Sequence, residues 1–485
     1  MKRNIVFLSL LCVCAAGTNY IRAQIVLPKI IGNNMVLQRA QSVPVWGWAR
    51  AGDKVTVIFA GQKKTAIANA SGEWYLLLDA MTASAVPRDM TITTATEKVS
   101  LHNILVGEVW LCSGQSNMEF TMRKISKLQP PAGENWPVKE LETAHNKSIR
   151  IFLSERKKMN PDPDHKGWSV AEDSALRSFT AVGYFFAKEL YAKLKVPVGV
   201  ISAAIPGSRI EPWIPEEAMQ QQTFFKENTG KEIGKIDGDP GKFYEPMIKP
   251  LIPFAIKGFL WYQGESNCFL NERIQYSYKM KALIAYWRKQ WNNKELPFYY
   301  VQIAPYYYSK ATDRPYTVYS EPEFWEAQAA VLKMNNTAMI ATVDLNNNPA
   351  DLHPVNKWEV GKRLARAALS AAYRIGHEAP MGPIFESMSK KGSHIIINFS
   401  NTGRGLIAND NKPLRCFEIA GKDGVYVPAN AVHHNNTIIV SAEKIKNPVS
   451  VRFAWREDAK PNLYNSDGLP AISFRTDNPV INNFN

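Results

Sequence analysis

The spacing of hydrophobic residues divides the chain into three parts. From residue 25 to about 104, short apolar runs are separated by turn signals roughly every ten residues, a spacing that is typical of a small β-sandwich. The strands that this pattern predicts are Val43–Trp48, Lys54–Phe59, Glu73–Leu78 and Met90–Thr94. This first part contains no set of residues suited to catalysis.

Between about residues 105 and 375, strand-like apolar runs alternate with helix-like ones. The predicted strands are Val106–Cys112, Val198–Ala204, Gly258–Tyr262, Phe298–Ile303 and Ala338–Asp344. Apolar residues three or four apart predict a helix over Phe179–Leu194, a second with Met280, Ile284, Trp287 and Trp291 on one face, and a third with Val360, Leu364, Ala368 and Ala371 on one face. Such alternation favours a doubly wound parallel α/β sheet.

The last part, from about residue 383, returns to strand-like spacing. Its predicted strands are Ile395–Phe399, Phe417–Ala420, Val425–Val427, Thr437–Val440 and Val449–Trp455. We therefore predict an α/β protein whose central sheet is flanked by N-terminal and C-terminal β-sandwich-like domains. The predicted bounds are 1–24 for a signal peptide, then 25–104, 105–382 and 383–485 for the three domains.

The first 24 residues have the features of a secretory signal. Lys2 and Arg3 form a charged start, and Ile5–Ala16 is an apolar run too short to span a bilayer. Ala23 supplies the small residue that usually precedes a cleavage point. We therefore expect a secreted or periplasmic protein, and the remaining sequence predicts no membrane span.

The composition is that of a globular protein of several domains, with 485 residues of which 45% are hydrophobic and 21% charged. The net charge of +14 is spread along the chain without a long Lys/Arg run, so we expect no nucleic-acid partner. Cys112, Cys268 and Cys416 show no metal-ligand spacing, and we expect no metal. The number of subunits stays open.

A serine follows the first predicted strand of the central sheet at a tight turn. A turn directly after a buried strand such as Val106–Cys112 can project a hydroxyl into a cleft. We interpret Ser116 as a nucleophile, with Gln115 and Asn117 beside it in supporting roles. The segment differs from the Gly-x-Ser-x-Gly elbow of α/β-hydrolases, since Met118 occupies the second glycine position. Taken alone, it is also ordinary turn sequence.

Three other predicted strands of the central sheet end in polar turns, at the edge where open α/β sheets bind ligands. The backbone N–H groups of Ser116 and Gly207 and the side-chain amide of Gln263 are candidate donors to an oxyanion. Pro206 has no N–H to donate. Glu265 receives a supporting role, bracing its loop by hydrogen bonds.

A serine nucleophile needs a base. Of the eight histidines, His353 alone follows a core strand and has a carboxylate, Asp351, two residues away. An aspartate bound to the distal imidazole nitrogen would set the tautomer and stabilise the imidazolium. The alternative is that this segment is a turn capping the helix that starts near Lys357.

Three motifs in order resemble those of the sialate O-acetylesterase family, within the wider SGNH (GDSL-like) hydrolases, and acetyl-xylan esterases share a similar set. The motifs are Gly114-Gln-Ser-Asn-Met118, Trp261-Tyr-Gln-Gly-Glu-Ser266 and Asp351-Leu-His-Pro354. The resemblance runs from about residue 25 to about residue 478. It implies Ser116 as nucleophile, His353 as base, Gly207 and Gln263 in the oxyanion hole, an O-acetylated sugar as substrate and no cofactor.

The acid of the triad has two candidates. Wider SGNH enzymes place the aspartate three residues before the histidine, whereas the gap here is two, so Asp344 is the alternative to Asp351. Arg209, Glu211 and Trp213 are candidate sugar contacts, and a structural rim is an equal alternative for them.

We therefore expect a secreted serine esterase that removes O-acetyl groups from sugars, most of all from sialic acid. Acetyl-xylan or another acetylated carbohydrate is the alternative substrate. A carbohydrate-binding protein without catalysis would not need both Ser116 and His353. A metal-dependent hydrolase using Asp162, Asp164 and His165 is a further alternative, although a Pro-rich loop favours solvent exposure of that cluster.

Overall fold

The strand that precedes Ser116 is longer than the apolar pattern predicts. In the computed structural model, which describes residues 24–154, 167–311, 315–434 and 436–484, this strand runs from Lys98 to Gly114. Its first half pairs with the antiparallel strand Ser84–Thr93, and its second half lies between the parallel strands Val198–Ala204 and Gly258–Tyr262. One strand is thus shared by the N-terminal β region and the central sheet, and residues 104 and 105 lie inside it.

The strands and helices are as follows. The strands are β1 Val36–Gln38, β2 Val43–Trp48, β3 Lys54–Phe59, β4 Gln62–Ile67, β5 Glu73–Leu78, β6 Ser84–Thr93, β7 Lys98–Gly114, β8 Ile149–Leu153, β9 Trp168–Val170, β10 Val198–Ala204, β11 Gly258–Tyr262, β12 Phe298–Val301, β13 Thr337–Ile340, β14 Ile384–Lys391, β15 His394–Ser400, β16 Leu406–Ala408, β17 Phe417–Ala420, β18 Tyr426–Pro428, β19 Asn430–His434, β20 Thr437–Ser441, β21 Ser450–Phe453, β22 Leu463–Asn465 and β23 Phe474–Arg475. The α-helices are α1 Ser116–Glu119, α2 Met122–Ile125, α3 Glu140–Thr143, α4 Asp173–Arg177, α5 Ala181–Leu194, α6 Glu216–Gln220, α7 Thr223–Glu227, α8 Glu265–Cys268, α9 Ile274–Gln290, α10 Ser320–Ala330 and α11 Lys357–Ala367.

The central sheet has the strand order β13-β12-β11-β7-β10-β8-β9. All neighbours in it are parallel except β9, which pairs antiparallel with β8 at one edge. The chain passes from β7 to β8 and β10 on one side and then crosses to β11 on the other. Such a reversal opens a crevice at the carboxyl end of the central strand, and Ser116 lies there. The predicted mixed α/β class is confirmed.

The two faces of the central sheet belong to two hydrophobic cores. Successive side chains of a strand point to opposite faces, so Leu111 lies in one core and Cys112 in the other. The first core includes α9 and continues without a break into the N-terminal strands through Ile92. The second core includes α5 and α11, which pack against each other. The N-terminal β region therefore shares its core with the sheet that carries Ser116.

Most residues of the predicted helical faces are buried, whereas Trp291 is only partly buried. Val360, Leu364 and Ala368 are buried as predicted, but Ala371 is exposed. The α-helix ends at Ala367 and continues as a wider π-helical turn over Ala368–Ala372. The wider turn rotates the side chains that follow away from the face predicted for a regular helix.

The C-terminal part forms two four-stranded antiparallel sheets, β14-β15-β20-β19 and β18-β17-β21-β23, with the small pair β16–β22. These sheets enclose a third core that includes Ile397 and Phe453. In the part of the chain that the structure describes, no helix combines the length and apolarity needed to cross a membrane. Cys112, Cys268 and Cys416 are free thiols.

The shared core can be tested with one substitution in each of two neighbouring strands, β6 and β3. Ile92 is fully buried, whereas 44% of Ile58 is exposed. We expect Ile92→Ala to lower the free energy of unfolding by about 2–5 kcal/mol, because it leaves a cavity in the common core. Ile58→Ala is the matched control, with an expected loss below about 1 kcal/mol.

The measurement is denaturant unfolding followed by tryptophan fluorescence, since Trp261 and Trp287 lie in the same core at the central sheet. A shared core would be contradicted if Ile92→Ala and Ile58→Ala lowered the free energy of unfolding equally. It would also be contradicted if Ile92→Ala left the tryptophan transition unchanged.

Candidate active site

The turn after β7 is fixed by a glycine. Gly114 pairs with Ala204 of β10 on one side and with Tyr262 of β11 on the other. Its φ of +137° is a conformation that side-chain-bearing residues rarely adopt, and a Cβ there would lie 2.1 Å from the carbonyl oxygen of Tyr262. Only glycine fits this approach, which brings the carboxyl ends of three strands together before Ser116 begins α1.

The structure brings Ser116 and His353 together, although 237 positions separate them in the sequence. His353 Nε2 lies 2.8 Å from Ser116 Oγ, within the range required for direct proton transfer. Ser116 is half-buried, and 40% of the His353 side chain is exposed, so a small substrate can approach both groups.

Asp351 lies beside His353 but does not hold its ring by a normal hydrogen bond. Asp351 Oδ1 accepts a hydrogen bond from the backbone N–H of His353 at 2.8 Å, whereas His353 Nδ1 is 3.9 Å from the same oxygen. The other candidate acid, Asp344, pairs with both terminal nitrogens of Arg363 at 2.8 and 2.7 Å. Of the two carboxylates, Asp351 is therefore the one that faces the histidine ring.

Two backbone N–H groups are available near Ser116. Gly207, with φ of +70°, lies in the turn after β10. Among the described residues, no acceptor is bonded to the N–H of Ser116 or of Gly207. Both groups therefore remain free to donate to an oxygen of a ligand.

The side chain of Gln263 is fully buried and already bonded within the protein, which differs from its predicted role as an oxyanion donor. Gln263 Nε2 lies 3.1 Å from Gln115 Oε1, 3.2 Å from the Ser208 carbonyl and 2.8 Å from Asn267 Oδ1. Gln263 Oε1 accepts from the Tyr276 hydroxyl at 3.0 Å. With its N–H groups occupied, Gln263 braces the turns around the serine.

Gln115 joins the serine turn to the turn after β11. Its side-chain oxygen accepts hydrogen bonds from the backbone N–H groups of Gly264 and Ser266 at 3.3 and 3.4 Å, as well as from Gln263. These contacts hold the serine turn against the turn after β11.

Asn117 joins the serine turn to the histidine loop. Its Nδ2 donates to Glu265 Oε1 and, at 3.1 Å, to the carbonyl of Leu352, the residue before His353. Asn117 and Glu265 are both buried. Burial raises the pKa of Glu265, although the hydrogen bond from Asn117 opposes that shift.

Glu211 and Trp213 do not face the solvent, so the prediction that they contact a sugar is wrong for this arrangement. Glu211 is fully buried and accepts hydrogen bonds from Lys279 at 2.7 Å and from Asn267 at 3.2 Å. Trp213 is also fully buried, and its Nε1 donates to Ser208 Oγ at 3.1 Å. Both side chains support the turn that contains Gly207.

Arg209 is the one member of this predicted set at the surface, with 26% of its side chain exposed. Its guanidinium bonds Asp237 and lies 3.2 Å from Glu211 Oε1. Arg209 is thus held at the rim by two carboxylates.

Lys357, the first residue of α11, is a buried charge that the sequence analysis did not assign to the site. Burial lowers the pKa of its ammonium to about 7. Burial also lowers the pKa of His353, the charge of Lys357 lowers it further, and Asp351 opposes both effects. A signal was present, since Lys357 lies three residues before Val360 and so on the buried face of the predicted helix.

No group of three or more His, Cys, Asp or Glu side chains in the described ranges has the arrangement of a metal site. The metal-site alternative of Asp162, Asp164 and His165 lies outside those ranges, and so does the predicted signal peptide apart from its last residue.

The chain is also similar to known carbohydrate esterases. The family model of carbohydrate esterases described as sialic acid-specific acetylesterases matches residues 106–370. Sialate O-acetylesterases of Rattus norvegicus and Homo sapiens are each 28% identical to this chain, over 88% of both chains for the rat protein and 92% of both for the human one.

A solved structure is also similar. The crystal structure of a carbohydrate acetylesterase from Xanthomonas citri is 31% identical, covers 94% of this chain and 100% of its own, and superposes with a TM-score of 0.81. The described site, the family match over more than half of the chain and these relatives lead to one conclusion. The chain belongs to the family of sialic acid-specific carbohydrate acetylesterases and is a carboxylic ester hydrolase that acts on acetylated sugars.

Proposed function

We propose that this protein removes O-acetyl groups from sialic acid through an acetyl-enzyme intermediate on Ser116. The observation that carries the proposal is the 2.8 Å separation of Ser116 Oγ and His353 Nε2 at the carboxyl edge of the central sheet. A hydroxyl and an imidazole at this distance form a nucleophile and its base.

In the first half of the reaction, Ser116 Oγ attacks the acetyl carbonyl carbon while His353 Nε2 accepts the hydroxyl proton. The carbonyl oxygen becomes an oxyanion that the N–H groups of Ser116 and Gly207 stabilise. The tetrahedral intermediate then collapses, the bond to the sugar oxygen breaks, and the imidazolium returns the proton to that oxygen. The sugar leaves with a free hydroxyl group.

In the second half, water attacks the acetyl group on Ser116, and His353 takes a proton from the water. Collapse of the second tetrahedral intermediate breaks the bond to Ser116 Oγ, which regains its proton from His353, and acetate leaves. The reaction consumes one ester and one water and needs no electron transfer.

Asp351 orients His353 in this proposal. Its hydrogen bond to the backbone N–H of His353 holds the loop, and its charge stabilises the imidazolium across the 3.9 Å gap to Nδ1. Arg209 at the rim is the remaining candidate for a sugar contact, because part of its side chain is exposed.

Sialic acid is preferred over xylan because the matching family model and the curated relatives carry that specificity in their descriptions. Acetyl-xylan or another acetylated carbohydrate is the alternative, and a screen of acetylated sialic acids against acetylated xylan, following acetate release, discriminates them. The leader pattern at residues 1–24 supports secretion or a periplasmic location. The strand order and the C-terminal antiparallel sheets support an SGNH-type sheet with flanking sandwich-like domains.

Replacing the nucleophile tests the proposal directly. We expect Ser116→Ala to lower kcat for acetate release from an aryl acetate by about 10⁴-fold or more, with the thermal melt unchanged. Ser126→Ala is the matched control, since among the described residues the Ser126 hydroxyl bonds only the Arg123 carbonyl of its own turn. Activity of Ser116→Ala near that of the wild type would end the proposal.

The acid of the triad is tested by two charge-removing variants. We expect Asp351→Asn to lower kcat by much less than the roughly 10⁴-fold seen when a tightly bonded triad acid is changed, because the 3.9 Å gap excludes a strong hydrogen bond. Asp344→Asn should instead lower thermal stability, since it breaks the pair with Arg363. A larger kcat loss for Asp344→Asn at equal folding would reverse the assignment.

The pH dependence follows from the lowered pKa of His353. The base must be neutral to accept a proton, so kcat/KM falls as the pH drops through the pKa of His353. We expect the acid limb of kcat/KM to lie below the ordinary histidine value of about 6.5. The check is a pH profile with a neutral aryl acetate, and a limb above that value would contradict the effect of burial.

A further inference from the structure

The backbone on both sides of His353 is held by buried side chains. The carbonyl of Leu352, just before the histidine, accepts a hydrogen bond from Asn117 Nδ2 at 3.1 Å. The carbonyl of Pro354, just after it, accepts a hydrogen bond from Lys357 Nζ. His353 therefore sits between two anchored peptide groups, although its own side chain is partly exposed.

A buried carboxylate connects the two anchors. Glu265 Oε1 accepts a hydrogen bond from Asn117 Nδ2, and the charge of Glu265 favours the protonated form of Lys357. Asn117, Glu265 and Lys357 are all essentially inaccessible to solvent. We call these three side chains the histidine clamp.

The ammonium group of Lys357 is also held by aromatic rings. Its Nζ lies 5.0 Å from the ring centroid of Phe120 and 5.6 Å from that of Tyr262. Aromatic faces attract cations at these distances. Since Tyr262 ends β11 and Phe120 follows α1, the contacts fix Lys357 relative to the serine turn as well.

We propose that Lys357 is a positioning residue of the esterase site, which anchors the backbone of His353 through the histidine clamp and opposes charge on the imidazole with its own ammonium group. This inference rests on the proposed roles of Ser116 and His353. It adds a residue to the reaction that touches neither the substrate nor the reacting atoms.

The charges around His353 support an electrostatic contribution. Asp351 and Glu119 favour the imidazolium, whereas Lys357 and Lys124 disfavour it. After burial, Lys357 is the largest of these influences. Around Lys357 itself, Glu265 and Asp351 favour the charged ammonium and Lys124 disfavours it.

The test compares neutral and charged replacements of Lys357. Lys357→Met removes both the charge and the hydrogen bond to Pro354, Lys357→Gln removes the charge but keeps a donor, and Lys357→Arg keeps the charge. For the two neutral variants we expect the acid limb of kcat/KM to move to higher pH by about half a unit or more, because a cation near the imidazole is gone. For Lys357→Arg we expect no upward movement.

The anchoring role is measured separately through kcat. We expect Lys357→Met and Asn117→Leu to lower kcat by about 10- to 100-fold with little change in KM, because the base is misplaced while the substrate still binds. Asn117→Leu removes no charge, so its acid limb should stay where the wild-type limb lies. Lys188→Met, which removes an exposed lysine paired with Glu140, is the matched control and should change neither quantity.

Thermal melts establish whether each variant is folded. If one of the two neutral variants does not fold, the other still allows the acid limb to be measured. Acid limbs of folded Lys357→Met or Lys357→Gln that coincide with the wild type, together with unchanged kcat, would overturn the inference. Ser116→Ala separates this failure from that of the proposed function. If Ser116→Ala is inactive and the Lys357 variants behave like the wild type, only the positioning role is contradicted. If Ser116→Ala is active, the esterase mechanism itself is contradicted.

Discussion

The structure depends on the close backbone approach at Gly114. There the last residue of β7 lies between the last residues of β10 and β11, and a Cβ would collide with the Tyr262 carbonyl at 2.1 Å. Parallel strands that end level with one another deliver their following turns to the same edge. The serine turn, the turn with Gly207 and the turn with Gln263 meet for this reason. The histidine loop, 237 positions after Ser116 in the sequence, completes the set.

Much of the fold follows from the apolar pattern, because strands that are buried on one or both faces leave a clear signal. The bounds predicted for Val43–Trp48, Lys54–Phe59 and Phe417–Ala420 are confirmed. Strands with polar, exposed residues left no such signal, and so β4 and β14 were not predicted. Their formation depends on pairing with a neighbouring strand, which a local pattern does not contain.

The site shows the same division. The convergence of Ser116 with His353 could be inferred because both follow core strands, and strand ends meet in space. The orientations of Gln263 and Glu211 could not be inferred. The sequence near an active site does not show whether an amide or carboxylate side chain faces the substrate or the protein interior. In the structure both side chains are fully buried, so they support the surrounding turns. Lys357 was missed for a different reason. Its position on the buried face of the predicted helix was a signal, but a lysine at a helix start is normally a solvated residue.

The continuity of β7 bears on how this enzyme can be divided for study. A fragment that begins at residue 105 would lose the half of the strand that pairs with β6, and it would uncover the apolar surface that Ile92 and its neighbours cover. Large uncovered apolar surfaces drive aggregation. The esterase region and the N-terminal strands are therefore best expressed as one polypeptide, whatever the sequence pattern suggests about a boundary between them.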